Sequence, residues 1–379
     1  MAVLVAKATV MLSLSKEIAA FFFMGALLGA CAPNRGAAYE RSLAEARRAA
    51  HDGRFDDAAA HFDDAAKSAK VARDGVFARY EAALSRARAG DRARARIALR
   101  QLADEKPQTE YSALAALKAA DLTLQMDEEA GYRELEAIVL AYPKDGVARV
   151  ALARILRHDD DEHALEHLES LAPRIVASDN PKDRGVEEIV AYERAKRLAD
   201  LGRDEAALAA LFDVAKRWPY PHGAYFDDAL FRASEIERKL GRPQRAIATL
   251  EELLSKRETS WMIGTYERPK YEPAILRIAE IYEQDLFDRA MARETLHRFY
   301  RDFKTSTFRD DALWREAELW RKDGEIRVSC DRLATLAREF PDSRYVPCAS
   351  VRCPDIKRPA KSQAPTTCRA YILRDTQAR

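Results

Sequence analysis

The sequence predicts an all-α protein, and three features of its composition support this. Apolar residues make up 47% and charged residues 33% of the 379 residues, which is enough apolar material for a core. The strong helix formers Ala, Leu, Arg and Glu dominate, and only 14 Gly are present. Val and Ile rarely alternate with polar residues, as they would in half-buried strands. We therefore expect helices throughout.

An internal repeat predicts how these helices are arranged. A small residue, here called the leader, is followed by large or apolar residues four and seven positions later. This spacing places all three residues on one helical face, and a small leader lets the helix lie close to a partner. The leaders recur 33 to 46 residues apart, in eight triplets: Ala58-Phe62-Ala65, Ala95-Leu99-Leu102, Gly131-Leu135-Ile138, Ala164-Leu168-Leu171, Ala207-Leu211-Val214, Ala246-Leu250-Leu253, Ala292-Leu296-Phe299 and Ser329-Leu333-Leu336.

Glycine and proline mark the ends of the repeats. Gly suits a turn because it tolerates positive φ, and Pro ends a helix because it lacks the backbone N–H. Five leaders are preceded by Gly at a distance of five residues, namely Gly53, Gly90, Gly202, Gly241 and Gly324. Four are followed by Pro at a distance of twelve, namely Pro107, Pro143, Pro219 and Pro341. Each repeat should therefore contain two helices joined by a short turn.

These repeats resemble tetratricopeptide (TPR) repeats, whose period is about 34 residues. Residues 340–347, Phe-Pro-Asp-Ser-Arg-Tyr-Val-Pro, are similar to the joint between repeats in periplasmic TPR lipoproteins of the BamD/CpoB-like family. The resemblance implies a right-handed TPR-type α-solenoid of about eight helix pairs over residues 38–346. It also implies a protein that binds other proteins and is not an enzyme.

The N-terminus is typical of a bacterial secretion signal. After Lys16 and Glu17, residues 18–30 are uncharged, a run shorter than the roughly 20 residues that span a bilayer. Residues 28–31, Leu-Gly-Ala-Cys, resemble a lipobox. That resemblance implies a signal peptide over 1–30, a lipid on Cys31 and a linker over 31–37. The alternatives are an ordinary cleaved signal and an uncleaved anchor.

The expected location is the periplasmic side of the outer membrane. Ala32 and Pro33 follow the cysteine, where some bacteria use an Asp to retain lipoproteins at the inner membrane. Several buried acyl chains would make this anchor durable. We expect the protein to reach the membrane through this N-terminal lipid.

The remaining four cysteines lie near the C-terminus, at Cys330, Cys348, Cys353 and Cys368. In an oxidising compartment they predict two disulfides, for which three pairings exist. A bond from Cys330 to Cys348 or Cys353 would fasten a capping helix to the last pair, and the remaining cysteine could bind Cys368. Zinc is the alternative, although the spacing matches no common zinc site. Residues 347–379 should form this capping segment and a flexible tail.

One short pattern offers an enzymatic alternative. His163, Glu166 and His167 fit the H-x-x-E-H pattern of certain zinc peptidases, which would make the protein a zinc-dependent hydrolase. However, the intervening Ala164 and Leu168 are inward repeat positions, and no third ligand is evident. We therefore expect no catalytic residues and no cofactor, with the two histidines as weak metal candidates.

The charges and the two insertions in the repeat indicate the kind of partner. With 63 basic and 62 acidic residues, the chain lacks the positive excess that would favour nucleic acid, and no small-molecule substrate site is evident. Insertions at 172–187 and 257–273 lengthen two joints, and the second carries Trp261 and Tyr266. These aromatics are candidates for partner contact, or they pack back on the helices. We expect a periplasmic scaffold that binds envelope proteins or peptide segments.

Overall fold

The computed structural model describes residues 35–158, 160–176, 185–258 and 267–374. These residues form 18 α-helices, one short 3-10 helix at Ala172–Arg174 and no strand. By its internal contacts the chain divides into two compact units, one ending at Arg154 and the other beginning at Ile155. The all-α prediction is confirmed.

Helices α1 to α16 follow one another along the chain as eight pairs, and two short helices follow them. The first unit contains α1 Ala37–His51, α2 Phe55–Ser68, α3 Ala72–Ala89, α4 Arg92–Asp104, α5 Glu110–Leu124, α6 Glu128–Ala141 and most of α7 Gly146–His158. The second unit contains α8 Asp161–Leu171, α9 Val186–Asp200, α10 Asp204–Arg217, α11 Phe226–Lys239, α12 Pro243–Leu254, α13 Tyr271–Gln284, α14 Arg289–Asp302, α15 Arg309–Lys322, α16 Ile326–Glu339, α17 Val346–Arg352 and α18 Ala370–Arg374. None of the helices in the described part of the chain is long and apolar enough to cross a membrane.

The triplets of the repeat form the buried face of the second helix in each pair. Every residue of the eight triplets is buried. The leaders Ala207 and Ala246 are completely buried, as are Leu211 and Leu250 four residues later. The predicted register is therefore confirmed, and small leaders such as Ala207 and Ala246 lie on the buried face of their helices.

Gly131 is a leader for which even alanine would be too large. A Cβ atom built at this position would lie 2.5 Å from the Cα atom of Leu124, on the preceding helix. Because that neighbour is backbone and cannot turn aside, α6 approaches α5 this closely only with glycine at position 131.

The turns inside the pairs share one backbone conformation. Gly53, Gly90, Gly202, Gly241 and Gly324 have φ between 71° and 101°, as their positions before the leaders predict. In the seventh pair the equivalent residue is Phe287, which has φ 55° and is the one non-glycine residue with positive φ in the described chain.

In the second unit, polar contacts attach each first helix to the joint before the next one. An acidic residue in the first turn of the helix accepts a hydrogen bond or forms an ion pair across the joint. The partners are Glu188 with the backbone N–H of Tyr225 (2.8 Å), Asp227 with Arg268 (2.8 Å), Glu272 with the Ser306 hydroxyl (2.9 Å) and Asp310 with the Ser343 hydroxyl (2.6 Å). These contacts hold the first helices side by side.

Candidate partner-binding site

The first helices of the second unit are connected by a series of ion pairs. Each pair joins a basic side chain on a first helix, or on α17, to an acidic side chain on a neighbouring first helix. The pairs are Arg232–Asp200 (3.4 Å), Arg277–Glu235 (3.1 Å), Arg238–Glu280 (2.9 Å), Lys322–Glu283 (3.0 Å) and Arg352–Glu318 (2.9 Å). They span α9, α11, α13, α15 and α17, so this face is polar and carries both signs of charge.

A cavity of about 520 Å³ lies at the C-terminal end of this face. Its lining includes Glu280 and Glu283 on α13, Trp314 on α15 and Tyr345. The rings of Trp314 and Tyr345 are stacked, with centroids 5.0 Å apart. Tyr371 of α18 completes the lining. The cavity therefore combines aromatic surface with charged groups, as sites for protein segments do.

The charged groups of the cavity are held in place by their neighbours. Burial alone raises the pKa of Glu280, but the hydrogen bond from Arg238 and the nearby charge of Arg277 outweigh it, and the net pKa is lowered. The lowered pKa therefore favours the ionised, carboxylate form of Glu280. Burial, followed by the hydrogen bond to Asp311, raises the pKa of the Tyr345 hydroxyl, so this phenol stays neutral and donates to Asp311 at 2.5 Å.

The C-terminal segment contributes Tyr371 and Ile372 to the lining of the cavity. Ala364 and Ile372 are buried in one cluster with Trp314. The Ser362 hydroxyl donates to the carbonyl oxygen of Pro341, and the backbone N–H of Gln363 donates to Asp342 at 2.6 Å. These contacts join the segment to the last helix pair and to the residues that follow it.

Two disulfides fasten this cap. Cys330 of α16 is bonded to Cys353 at the end of α17, and Cys348 of α17 is bonded to Cys368 just before α18. This is one of the three pairings that the sequence left open. The first bond joins the capping helix to the last pair, and the second holds the chain segment that carries Tyr371.

The two histidines of the zinc pattern do not enclose a site. His163 lies in the first turn of α8, where its Nδ1 atom is 2.9 Å from Asp160, and its side chain is 70% exposed. His167 is also exposed, whereas Ala164 and Leu168 are buried. Within the described ranges, no three metal-binding side chains come together.

Three other predicted site residues lie outside the described residues. These are Cys31, the proposed lipid attachment point, and Trp261 and Tyr266 in the second insertion. The role of each remains a prediction from the sequence.

Sequence reasoning missed Tyr371 and Ile372 as parts of the site. Proline and basic residues dominate around them, which is a composition typical of an unfolded tail. The available signal was Cys368, because a disulfide at this position brings its neighbours to the last helix pair.

Comparison with known families supports the repeat type. Two segments, residues 77–109 and 228–260, match the tetratricopeptide repeat model. Each begins inside a first helix and extends past the second helix of the same pair. No curated protein matches the sequence.

Several solved structures align at low identity. A TPR-like repeat protein titled putative kinesin light chain from Podosopora anserina is 15% identical, with a TM-score of 0.35, over 57% of this chain and 99% of that one. A tetratricopeptide repeat protein from Parabacteroides merdae is 12% identical, with a TM-score of 0.27, over 80% and 94%. Pseudomonas aeruginosa pilF is 15% identical, with a TM-score of 0.29, over 71% and 93%. These scores are too low to support an argument about function, so the family-model matches and the packed helix pairs are what support a TPR-type repeat protein.

Proposed function

We propose that the protein is a membrane-anchored scaffold on the periplasmic side of the outer membrane, where it holds partners in a cell-envelope complex of the BamD/CpoB-like kind. The observation that carries the binding role is the cavity between Glu280, Trp314 and Tyr371 on the first-helix face. Faces built from successive helix pairs receive extended or helical segments of other proteins. The proposed ligand is therefore a protein segment.

Two features support the location. Residues 28–31 resemble a lipobox, which would place a lipid on Cys31. This position is five residues before Gly36, the residue that directly precedes α1. Four cysteines paired in two disulfides suit an oxidising compartment such as the periplasm. Outer-membrane assembly, secretion, motility and cell-wall machinery are the envelope complexes that such a scaffold would serve.

The anchor is tested by replacing Cys31 with Ser. The variant should not incorporate a palmitate analogue, because no thiol remains to be alkylated, and it should leave the membrane fraction or persist as an uncut precursor. Membrane fractionation of a processed Cys31→Ser protein would contradict the lipid anchor.

The binding face is tested by replacing Tyr371 with Ser, followed by reversible cross-linking and co-purification. Tyr371 is 45% exposed, so its loss should leave the thermal melt nearly unchanged while partner recovery falls. Phe308→Ser is the matched control, because Phe308 is 50% exposed but lies outside the cavity. Equal partner recovery from both variants would contradict a contact in the cavity.

The second insertion is a separate candidate for the same role. Aromatic anchors dominate interface energetics, so replacing both Trp261 and Tyr266 with Ala should lower partner recovery without an early melt. An early melt would show instead that the two side chains pack on the helices.

A further inference from the structure

The Cys330–Cys353 disulfide forms part of the wall of a second cavity, which has a volume of about 790 Å³. Among the described residues, the lining includes both of these cysteines but neither Cys348 nor Cys368. Cys330 is half-buried, whereas Cys353 is 4% exposed and Cys348 is completely buried. Cavities of this size hold small organic molecules. A small molecule in this cavity therefore reaches the bond at the sulfur of Cys330.

A guanidinium group lies beside both sulfur atoms of this bond. The Nη2 atom of Arg321, at the end of α15, is 3.4 Å from Sγ of Cys353 and 3.9 Å from Sγ of Cys330. The same nitrogen donates to the carbonyl oxygen of Arg352 at 3.0 Å, which holds the guanidinium in this position. A nearby positive charge stabilises a thiolate, and the sulfur that is more stable as a thiolate leaves faster in an exchange. Because Cys353 is nearer to Arg321, its sulfur is the better leaving group.

The lining of this cavity carries exposed charges of both signs. Arg327 and Lys357 are basic and exposed, and Asp331 and Asp355 are acidic and exposed. Two further arginines of the lining are paired with glutamates outside it, namely Arg338 with Glu339 and Arg352 with Glu318. Basic side chains bind carboxylates, and acidic side chains bind ammonium groups. The lining therefore suits a small molecule with both kinds of group, as amino-acid and peptide thiols have.

We infer that Cys330 is a site of thiol–disulfide exchange, at which a small amino-acid or peptide thiol forms a mixed disulfide and releases Cys353 as a thiolate. Access at Cys330 and the charge beside Cys353 favour the same direction of attack. The site shares no lining residue with the Tyr371 cavity and does not depend on the proposed binding role.

The exchange is balanced in two steps. The thiolate of the reagent forms a bond to Sγ of Cys330, and the electron pair of the broken S–S bond moves to Sγ of Cys353 beside Arg321. A second reagent thiolate then attacks the reagent sulfur of the mixed disulfide and releases the thiolate of Cys330. Two reagent thiols are thereby oxidised to one disulfide, and their two electrons and two protons pass to the protein cysteines. The bond between α16 and α17 is opened, while Cys348–Cys368 stays closed.

The first arm of the test locates the exchange in the full-length, disulfide-bonded protein. The probe is reduced glutathione, a tripeptide thiol. Samples are trapped with N-ethylmaleimide at low pH and mapped by mass spectrometry. The early product should carry glutathione on Cys330 and maleimide on Cys353, and it should form at least about tenfold faster than any product of the Cys348–Cys368 bond.

Three results of this arm would overturn the inference. They are glutathione on Cys353 instead of Cys330, equally fast or faster opening of the Cys348–Cys368 bond, and opening of Cys330–Cys353 only by a protein reductant of the thioredoxin type.

The second arm tests the positioning role of Arg321. In the reduced protein, Arg321→Gln should raise the pH of half-maximal alkylation of Cys353 by iodoacetamide by about one unit, because a positive charge is lost. It should slow the exchange with glutathione by about threefold or more. Arg321→Lys keeps the charge and should stay close to the wild type in both measurements. A purely structural role would change the thermal melt without moving this pH, and an unmoved pH in Arg321→Gln would overturn the inference.

The third arm tests the class of thiol. With each rate corrected for the reagent's own thiolate fraction, glutathione should react about threefold or more faster than the uncharged 2-mercaptoethanol. The double variant Arg327→Gln with Lys357→Gln should lose this preference. Lys361→Gln with Arg369→Gln is the matched control, because both residues are exposed and lie outside the lining. Equal rates for the two thiols in the wild type, or equal preference in the two double variants, would overturn the inference.

Discussion

The Cys348–Cys368 disulfide should determine whether the C-terminal segment stays on the last helix pair. The bond closes a loop of 20 residues, and removing such a constraint costs about 3 kcal/mol in the chain-entropy treatment. The cleanest change is Cys368→Ser, because Cys368 is half-buried and tolerates a hydroxyl. Cys348 is completely buried and would remain as a small apolar thiol.

Amide hydrogen exchange is the suitable assay, because the effect should be local. A loss of about 3 kcal/mol lowers the protection of amides in residues 356–374 by about two orders of magnitude. Helices α9 to α14 should be unaffected, since repeats contact only their neighbours. Cys330→Ser is the matched control. It opens a loop of 23 residues and should loosen α17 instead.

Two results would refute this reasoning. One is four free thiols in protein isolated from the periplasm, because the pairing would then be absent. The other is equally fast exchange of residues 356–374 in the wild type and in Cys368→Ser, because the segment would then not be held by the bond.

Three further predictions concern the helix pairs and the histidine pattern. Leu250→Ala should lower the free energy of unfolding of the second unit by about 2–5 kcal/mol in denaturant titration, because Leu250 is completely buried. Leu254 is only half-buried, so Leu254→Ala should cost clearly less. Equal losses would contradict the assigned register. Arg268→Ala should lower the free energy of unfolding by about 3–5 kcal/mol, because it leaves the buried Asp227 carboxylate without its ion-pair partner. In the same titration, the double variant with Arg268→Ala and Asp227→Asn should recover part of this loss. Metal analysis of purified protein should find no stoichiometric zinc, and zinc that is lost in His163→Ala would instead support the hydrolase alternative.

Local sequence patterns were sufficient to predict the helix pairs because the same pattern recurs eight times. The triplet Ala246-Leu250-Leu253 predicts a buried helical face from residues only seven positions apart, and Gly241 predicts the turn before it. Both predictions agree with burial and backbone angles in the structure. Periodicity of this kind depends on the geometry of one helix and its turn, not on distant parts of the chain.

The candidate site could be predicted only in outline. A binding face was expected, but the participation of Tyr371 was not, because its position depends on a bond between Cys368 and a helix 20 residues away. The exposure of the Phe287 side chain could not be predicted either. The sequence shows that this residue lies five positions before the leader Ala292, but it does not show what surrounds the side chain.

The sequence by itself determined that this chain is all-α, where its second helices place their buried faces and which turns need positive φ, because each of these follows from neighbouring residues. The tertiary structure alone decided that Cys330 pairs with Cys353 and that the C-terminal segment closes a cavity against Trp314. It also decided that an aromatic ring at a strained turn faces solvent. Those outcomes depend on which distant segments of the chain come into contact, and local patterns of helix propensity and residue spacing do not determine those contacts.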